Sequence, residues 1–268
     1  MAVAIQRNNV KTFGTDGPAM VFVHGFGCDQ TMWHQLQSRF ENSHRTVLLD
    51  LTGMGQSDLQ AYDFRRHAGI DGHAADLVEV LEELELTGAV LVGHSIGASI
   101  CAAAALRAPE RVSRLVLVSP SPCFLNDPDS GYTGGFEAGQ LEELIELLES
   151  NQMGWSSQMA PVIAGHPAGT AATDELTQSF CRTDPQIMAH FGKVTFFSDC
   201  RGELARLTHP SLIVHCGEDA LVPMATADWM RENIPQSTLA VLQRPGHCPH
   251  MTVPGEVEEA MRAFLGKR

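Results

Sequence analysis

The chain has 268 residues, 44% hydrophobic and 19% charged, with 32 acidic side chains against 18 Lys and Arg and a formal charge of −14. That balance excludes a disordered chain and provides enough sequence to bury a large core. No Lys/Arg cluster offsets the negative charge, which argues against nucleic acid or an anionic membrane as partner.

Seven cysteines, an odd number without CxxC spacing in a chain too long to need disulfide staples, read as reduced thiols. Residues 1–10 lack the basic start and apolar run of a secretory signal, so a cytoplasmic location is expected.

In chain order, Ala19 to Val23 is a short apolar run that predicts a buried strand, ending at His24-Gly25-Phe26-Gly27. Met32 to Phe40 predicts a helix, with Trp33, Leu36 and Phe40 at helical spacing. Thr46 to Asp50 predicts the next strand, and Gly53 to Ser57 a turn. Asp71 to Leu86 predicts an amphipathic helix, apolar at Ala74, Leu77, Val78, Leu81 and Leu84. Ala89 to Val92 predicts a buried strand and Ala98 to Leu106 a helix of small residues, on either side of Gly93-His94-Ser95-Ile96-Gly97. Gly88 to Leu106 has the length of a membrane span, but its polar centre argues for strand, turn and helix. Leu115 to Val118 predicts a further strand. Strands alternating with helices imply an α/β fold with a mostly parallel sheet covered on both faces.

From 121 to 200 no buried strand is predicted. Leu141–Leu148, Asp174–Cys181 and Pro185–Phe197 predict helices instead. Alternation resumes with a strand at Leu212–His215, a helix at Thr226–Asn233, a strand at Thr238–Leu242 and a helix at Glu256–Leu265. The division expected is a core of 1–120 and 201–268 with an all-helical cap, 121–200, over the C-terminal ends of the strands, where such sheets bind ligands. The acidic runs Glu79–Glu85 and Glu142–Glu149 read as solvated helix faces.

The chemistry centres on Ser95. A Gly-x-Ser-x-Gly corner between strand and helix lifts a serine hydroxyl clear of the backbone on a sharp turn. That hydroxyl is a weak nucleophile until a base takes its proton, and the base works best when a carboxylate fixes its tautomer. In this fold the order is Ser, acid, His, each after a strand. Asp219 follows the Leu212–His215 strand and His247 follows the Thr238–Leu242 strand, as that order requires. Glu218 is the rival acid and His250 the rival base. The oxyanion donors expected are the backbone amides of Ile96 and of Phe26, in the loop after the first strand.

Other patterns carry less. Gly53-x-Gly55-x-x-Asp58 lacks the third glycine of a dinucleotide fingerprint. His215, Cys216, His247, Cys248 and His250 match no zinc spacing, and there is no Walker loop, so neither metal nor cofactor is expected.

The residues now quoted resemble the α/β-hydrolase superfamily over essentially the whole chain. Within it, His24 to Trp33, Gly53 to Asp58, Ala61 to Asp63, Val92 to Ser95, Ser119 to Asp127, Gly134 to Phe136, Phe197 to Asp199 and Gly246 to His250 together resemble the RsbQ-type hydrolases, similar in turn to the plant karrikin and strigolactone receptors. The resemblance implies a Ser95, Asp219, His247 triad, Phe26 and Ile96 as oxyanion donors, and a four-helix cap over a deep apolar pocket. It also implies a small hydrophobic ester or lactone as substrate and, for the bacterial type, a PAS-domain partner in stress signalling. Residues 154–173 and 199–206 depart from the pattern. Phe124, Phe136, Trp155, Phe191 and Val194 are the candidate pocket wall.

Three functions follow: hydrolysis of a small ester or lactone, a signalling module in which binding or slow hydrolysis sets affinity for a protein, and a lyase or C–C hydrolase on the same triad. Dehalogenase and epoxide-hydrolase chemistry would need a carboxylate where Ser95 stands.

Overall fold

The structure, a computed structural model, describes residues 3–266. After a one-turn helix α1 (Ala4–Arg7) come strands β1 (Lys11–Gly14) and β2 (Ala19–Val23), a short helix α2 (His34–Gln37) and β3 (Arg45–Leu49). Helix α3 (Ile70–Glu83), β4 (Ala89–His94), α4 (Ile96–Arg107) and β5 (Val112–Val118) follow. The seven strands of the sheet run in the order β1-β3-β2-β4-β5-β6-β7, with β6 (Ser211–Glu218) and β7 (Ser237–Pro245) contributed by the C-terminal part. Only β1 is antiparallel to its neighbour among the described strands.

The register explains where the reactive residues gather. Val23 lies opposite Gly93, His94 opposite Val118, and Val118 opposite Val214. Strands β2, β4 and β5 therefore end at nearly one level, while β6 runs four residues further to Glu218. Every residue of β4 is buried, as expected for a central parallel strand covered on both faces. Helix α4 buries ten of its twelve residues, half of them Ala, so its backbone packs close to its neighbours.

Between β5 and β6 lie four helices, α5 (Ala138–Ser150), α6 (Gln152–Ala164), α7 (Ala171–Arg182) and α8 (Pro185–Phe197), followed by the single turn α9 (Arg201–Leu204). Local chemistry sets their ends. Asn151 caps α6 by accepting from the Gly154 amide, and Asp184 caps α8, with Pro185 in its first turn. Gly165 ends α6 in the left-handed conformation at φ 67°. Helices α10 (Met224–Asn233), α11 (Pro249–Thr252) and α12 (Pro254–Leu265) complete the chain, with α12 against α2.

Beyond strand β1, which lies in a stretch given no element, two helices differ from expectation. Met32–Phe40 is not one helix: a 3₁₀ turn, Gln30–Trp33, leads into α2, and turns follow to the buried Phe40. Helix α6 falls in a stretch given no element, because Gly154, Ser156, Ser157 and Pro161 dilute its periodicity.

Candidate active site

Ser95 stands at the corner between β4 and α4 with φ 53° and ψ −122°, a conformation that is strained for any side chain but glycine. The flanking glycines make the corner possible. A Cβ on Gly93 would meet the backbone of Gly97, and one on Gly97 would meet the carbonyls of His24 and Val23. The corner is held by Ser95 N–H donating to the Val118 carbonyl, 2.9 Å away.

Ser95 Oγ lies 2.9 Å from His247 Nε2, and His247 Nδ1 lies 2.7 Å from Asp219 Oδ2. The other carboxylate oxygen of Asp219 accepts from the amides of Leu221 (2.9 Å) and Val222 (3.1 Å). Burial alone would raise the Asp219 pKa, but the His247 ring and the Leu221 amide hold it below the usual carboxylate range. An ionised, oriented Asp219 fixes the proton of His247 on Nδ1 and leaves Nε2 to accept from Ser95. The rivals sit elsewhere. Glu218 is exposed, and His250 is buried against Trp33, ring centroids 4.3 Å apart, with no hydrogen-bond partner on either nitrogen.

Three further histidines brace the loops. His24 Nε2 accepts from the Leu51 amide at 2.9 Å, so its proton is on Nδ1, which donates to the Gly25 carbonyl. His94 Nε2 donates to the backbone carbonyl of His247 at 2.9 Å, and burial, then the neighbouring His247, depress its pKa to about 3. His215 Nε2 meets the Val222 carbonyl at 3.1 Å, steadying the loop that carries Asp219. Among the described residues the amides of Phe26 and Ile96 donate no hydrogen bond to protein; Phe26 lines Ser95's cavity and Ile96 follows Ser95 as the first residue of α4.

The space beside Ser95, open solvent included, amounts to about 380 Å³. Phe26, Phe124 and Leu221 line it from the loops after the strands. Ile163 of α6, Leu176 and Phe180 of α7, and Thr195 and Phe196 of α8 line it from the helical segment. Of the five expected wall residues, Phe124 is on the lining. The others lie elsewhere. Trp155 and Phe191 form a layer behind Phe26, with centroids 5.9 and 6.0 Å from its ring. Phe136 packs on the far side of Phe124 at 6.3 Å, and Val194 faces an outer depression beside His190 and Phe197. Successive helical residues diverge by about 100°, so Thr195 lines the cavity while its neighbour Val194 does not. Leu176 and Phe180, one turn apart on α7, carry in the sequence the apolar spacing of a helix face, and that face lines the cavity.

Cys28 and Cys248 also touch the cavity, but burial pushes both thiols up, so neither rivals Ser95 as a nucleophile. Among the described residues the group with metal-ligand geometry is His67, His73 and Asp76, all buried. The Asp76 oxygens there are already taken by Arg66 (2.5 Å), Thr52 (2.5 Å) and His67 (3.0 Å). No helix of the described residues is long and apolar enough to cross a membrane.

Residues 20–260 match the model of the alpha/beta hydrolase family. The chain is 34% identical over 260 residues to a strigolactone esterase of Pisum sativum, covering 97% of each. It is 31% identical over 258 residues to a karrikin insensitive 2 receptor of Petunia hybrida, covering 96% of this chain and 95% of that one. Among solved structures, a hydrolase from Oleispira antarctica superposes with a TM-score of 0.95 at 37% identity, over 99% of this chain and 97% of the other.

Proposed function

This chain is a hydrolase of the alpha/beta hydrolase family, and on that premise we propose that it cleaves a small hydrophobic ester or lactone through Ser95, His247 and Asp219. The observation that supports this most is the hydrogen-bonded row from Ser95 Oγ through His247 to Asp219 at an apolar cavity.

In the first half-reaction Ser95 Oγ attacks the ester carbonyl while His247 Nε2 takes the hydroxyl proton. The carbonyl oxygen becomes an oxyanion that accepts from the amides of Ile96 and Phe26, each such donor worth about 3 kcal/mol of barrier. As the tetrahedral intermediate collapses, the C–O bond to the leaving alcohol breaks and His247 returns its proton to that oxygen. Water then attacks the acyl-Ser95 ester, gives its proton to His247, and the acid leaves as Ser95 regains its hydrogen. These steps use side chains and backbone amides alone, with no cofactor. Residues 121–200 act as the cap that shapes the cavity, over a core of 1–120 and 201–268, and the buried thiols fit a reducing, cytoplasmic setting.

The test is hydrolysis of p-nitrophenyl acetate and butyrate, with Ser95→Ala as control. Turnover lost in the variant supports the reading, and turnover retained removes Ser95 as nucleophile. A second reading is favoured by the similarity to a relative named as a receptor. In it the same site binds or slowly cleaves its ligand and the output is a protein partner, of the PAS-domain class if the bacterial resemblance holds. Single-turnover cleavage with a ligand-dependent rise in thermal stability would select it.

A further inference from the structure

Thr195 lies on α8, lines the cavity at 2% exposure, and its hydroxyl has no hydrogen-bond partner. A helical Ser or Thr normally gives its proton to the carbonyl one turn back. Its neighbours do so: Ser156 donates to Gln152 (2.7 Å), Thr177 to Thr173 (2.7 Å) and Ser198 to Val194 (2.5 Å). Thr195 alone among these leaves its hydroxyl unspent, in a position closed to solvent, where an unmet polar group costs free energy. Among the ring and hydroxyl donors of the lining the others are engaged, while His94 Nδ1, an acceptor, has no partner. Ser95 and His247 hold each other, and His94 donates from Nε2 to the His247 carbonyl while its Nδ1 lies against Gly25. The two thiols, Cys28 and Cys248, are weak partners.

We propose that Thr195 is a specificity-determining residue whose O–H donates to a second acceptor oxygen of the substrate, so that the site selects esters or lactones bearing an ether, ring or carbonyl oxygen apart from the scissile carboxyl. The proposal rests on the hydrolase reading above and narrows its substrate class. The rest of the ligand is apolar, matching the Phe26, Phe180 and Phe196 rings around it. An oxygen that only accepts is cheaper to strip of water than a hydroxyl, and a buried donor left unmatched penalises the all-carbon analogue.

Two isosteric pairs test this: p-nitrophenyl butyrate against methoxyacetate, and pentanoate against 3-methoxypropionate, each replacing one CH₂ by oxygen. The ratio of kcat/KM within a pair is compared between wild type, Thr195→Val and Thr195→Ser, which cancels intrinsic reactivity. Thr195→Val is expected to lower the preference for the oxygenated ester of at least one pair about tenfold, and Thr195→Ser to retain it. Both ratios staying within about twofold of wild type in Thr195→Val would overturn the proposal. The same ratios read as Kd for the methyl esters, in Ser95→Ala with and without Thr195→Val, separate the two readings. A shift there without wild-type turnover overturns the hydrolase reading and sustains the role of Thr195. No shift overturns that role.

Discussion

The backbone amide of His247 donates to the carbonyl of Ile163, 2.7 Å away, so the last turn of α6 is hydrogen-bonded to the loop that carries the base. The two segments touch at glycines. A Cβ on Gly246, at φ 92°, would run into the carbonyl of Ala164, and one on Gly165 would meet the Gly246 backbone. Gly246→Ala is therefore expected to cost about 1–3 kcal/mol of stability. It should also lower kcat by roughly tenfold or more, because it displaces His247 from Ser95. Urea unfolding and ester kinetics on the purified variant check both.

Ser95→Ala should abolish turnover, leave the fold intact and still bind ligand. Ser95→Gly should be equally inactive yet unfold at a higher temperature than Ser95→Ala. Glycine accepts the φ of 53° without the strain of about 1–3 kcal/mol that a Cβ incurs there. Equal melting temperatures would mean the corner is unstrained.

Asp219→Asn keeps an oxygen for the Leu221 and Val222 amides but turns its NH₂ toward His247 Nδ1. The imidazole then carries its proton on Nε2 and cannot accept from Ser95. The expected loss in kcat is roughly ten-thousand-fold, with little change in melting temperature. A rate near wild type would move the acid role to Glu218.

Buried histidines tie stability to pH. His73 is fully enclosed, neither nitrogen has a partner, and burial followed by the nearby His67 depresses its pKa to about 3. The unfolded chain protonates this group near the ordinary value of about 6.5, whereas the native state resists. The unfolded state thus binds more protons between those two values, and stability falls as pH drops from about 6.5 toward about 3. His94 acts in the same direction. His73→Phe should flatten this decline, read as the change in urea midpoint between pH 7 and pH 5.

Much of the core was legible because buried parallel strands are written as apolar runs: Ala19–Val23, Ala89–Val92 and Leu212–His215 all lie inside observed strands. Strand β1 was not. Its residues Lys11 to Gly14 are all exposed, so no alternation marks them, and pairing with β3 alone makes them a strand. Ser95, Asp219 and His247 could be found because each follows a strand and their order in the chain carries information. The cavity wall resisted because which face of α8 turns inward depends on how it docks, and docking is not local. Phe191 and Phe196 are both buried aromatics, yet only Phe196 reaches the cavity.

The glycines around Ser95 are crowded by main chain, whereas the cavity is walled by interchangeable side chains from α6, α7 and α8. Any residue with a Cβ at Gly93 or Gly97 collides with peptide groups that cannot yield, so the serine corner admits no gradual change. Leu176, Phe180, Thr195 and Phe196 face no such barrier, and each can be exchanged for a neighbour in size or polarity at modest expense in stability. Substitution is thereby channelled: the serine corner stays fixed while what the cavity accepts can change at a few positions on two helices.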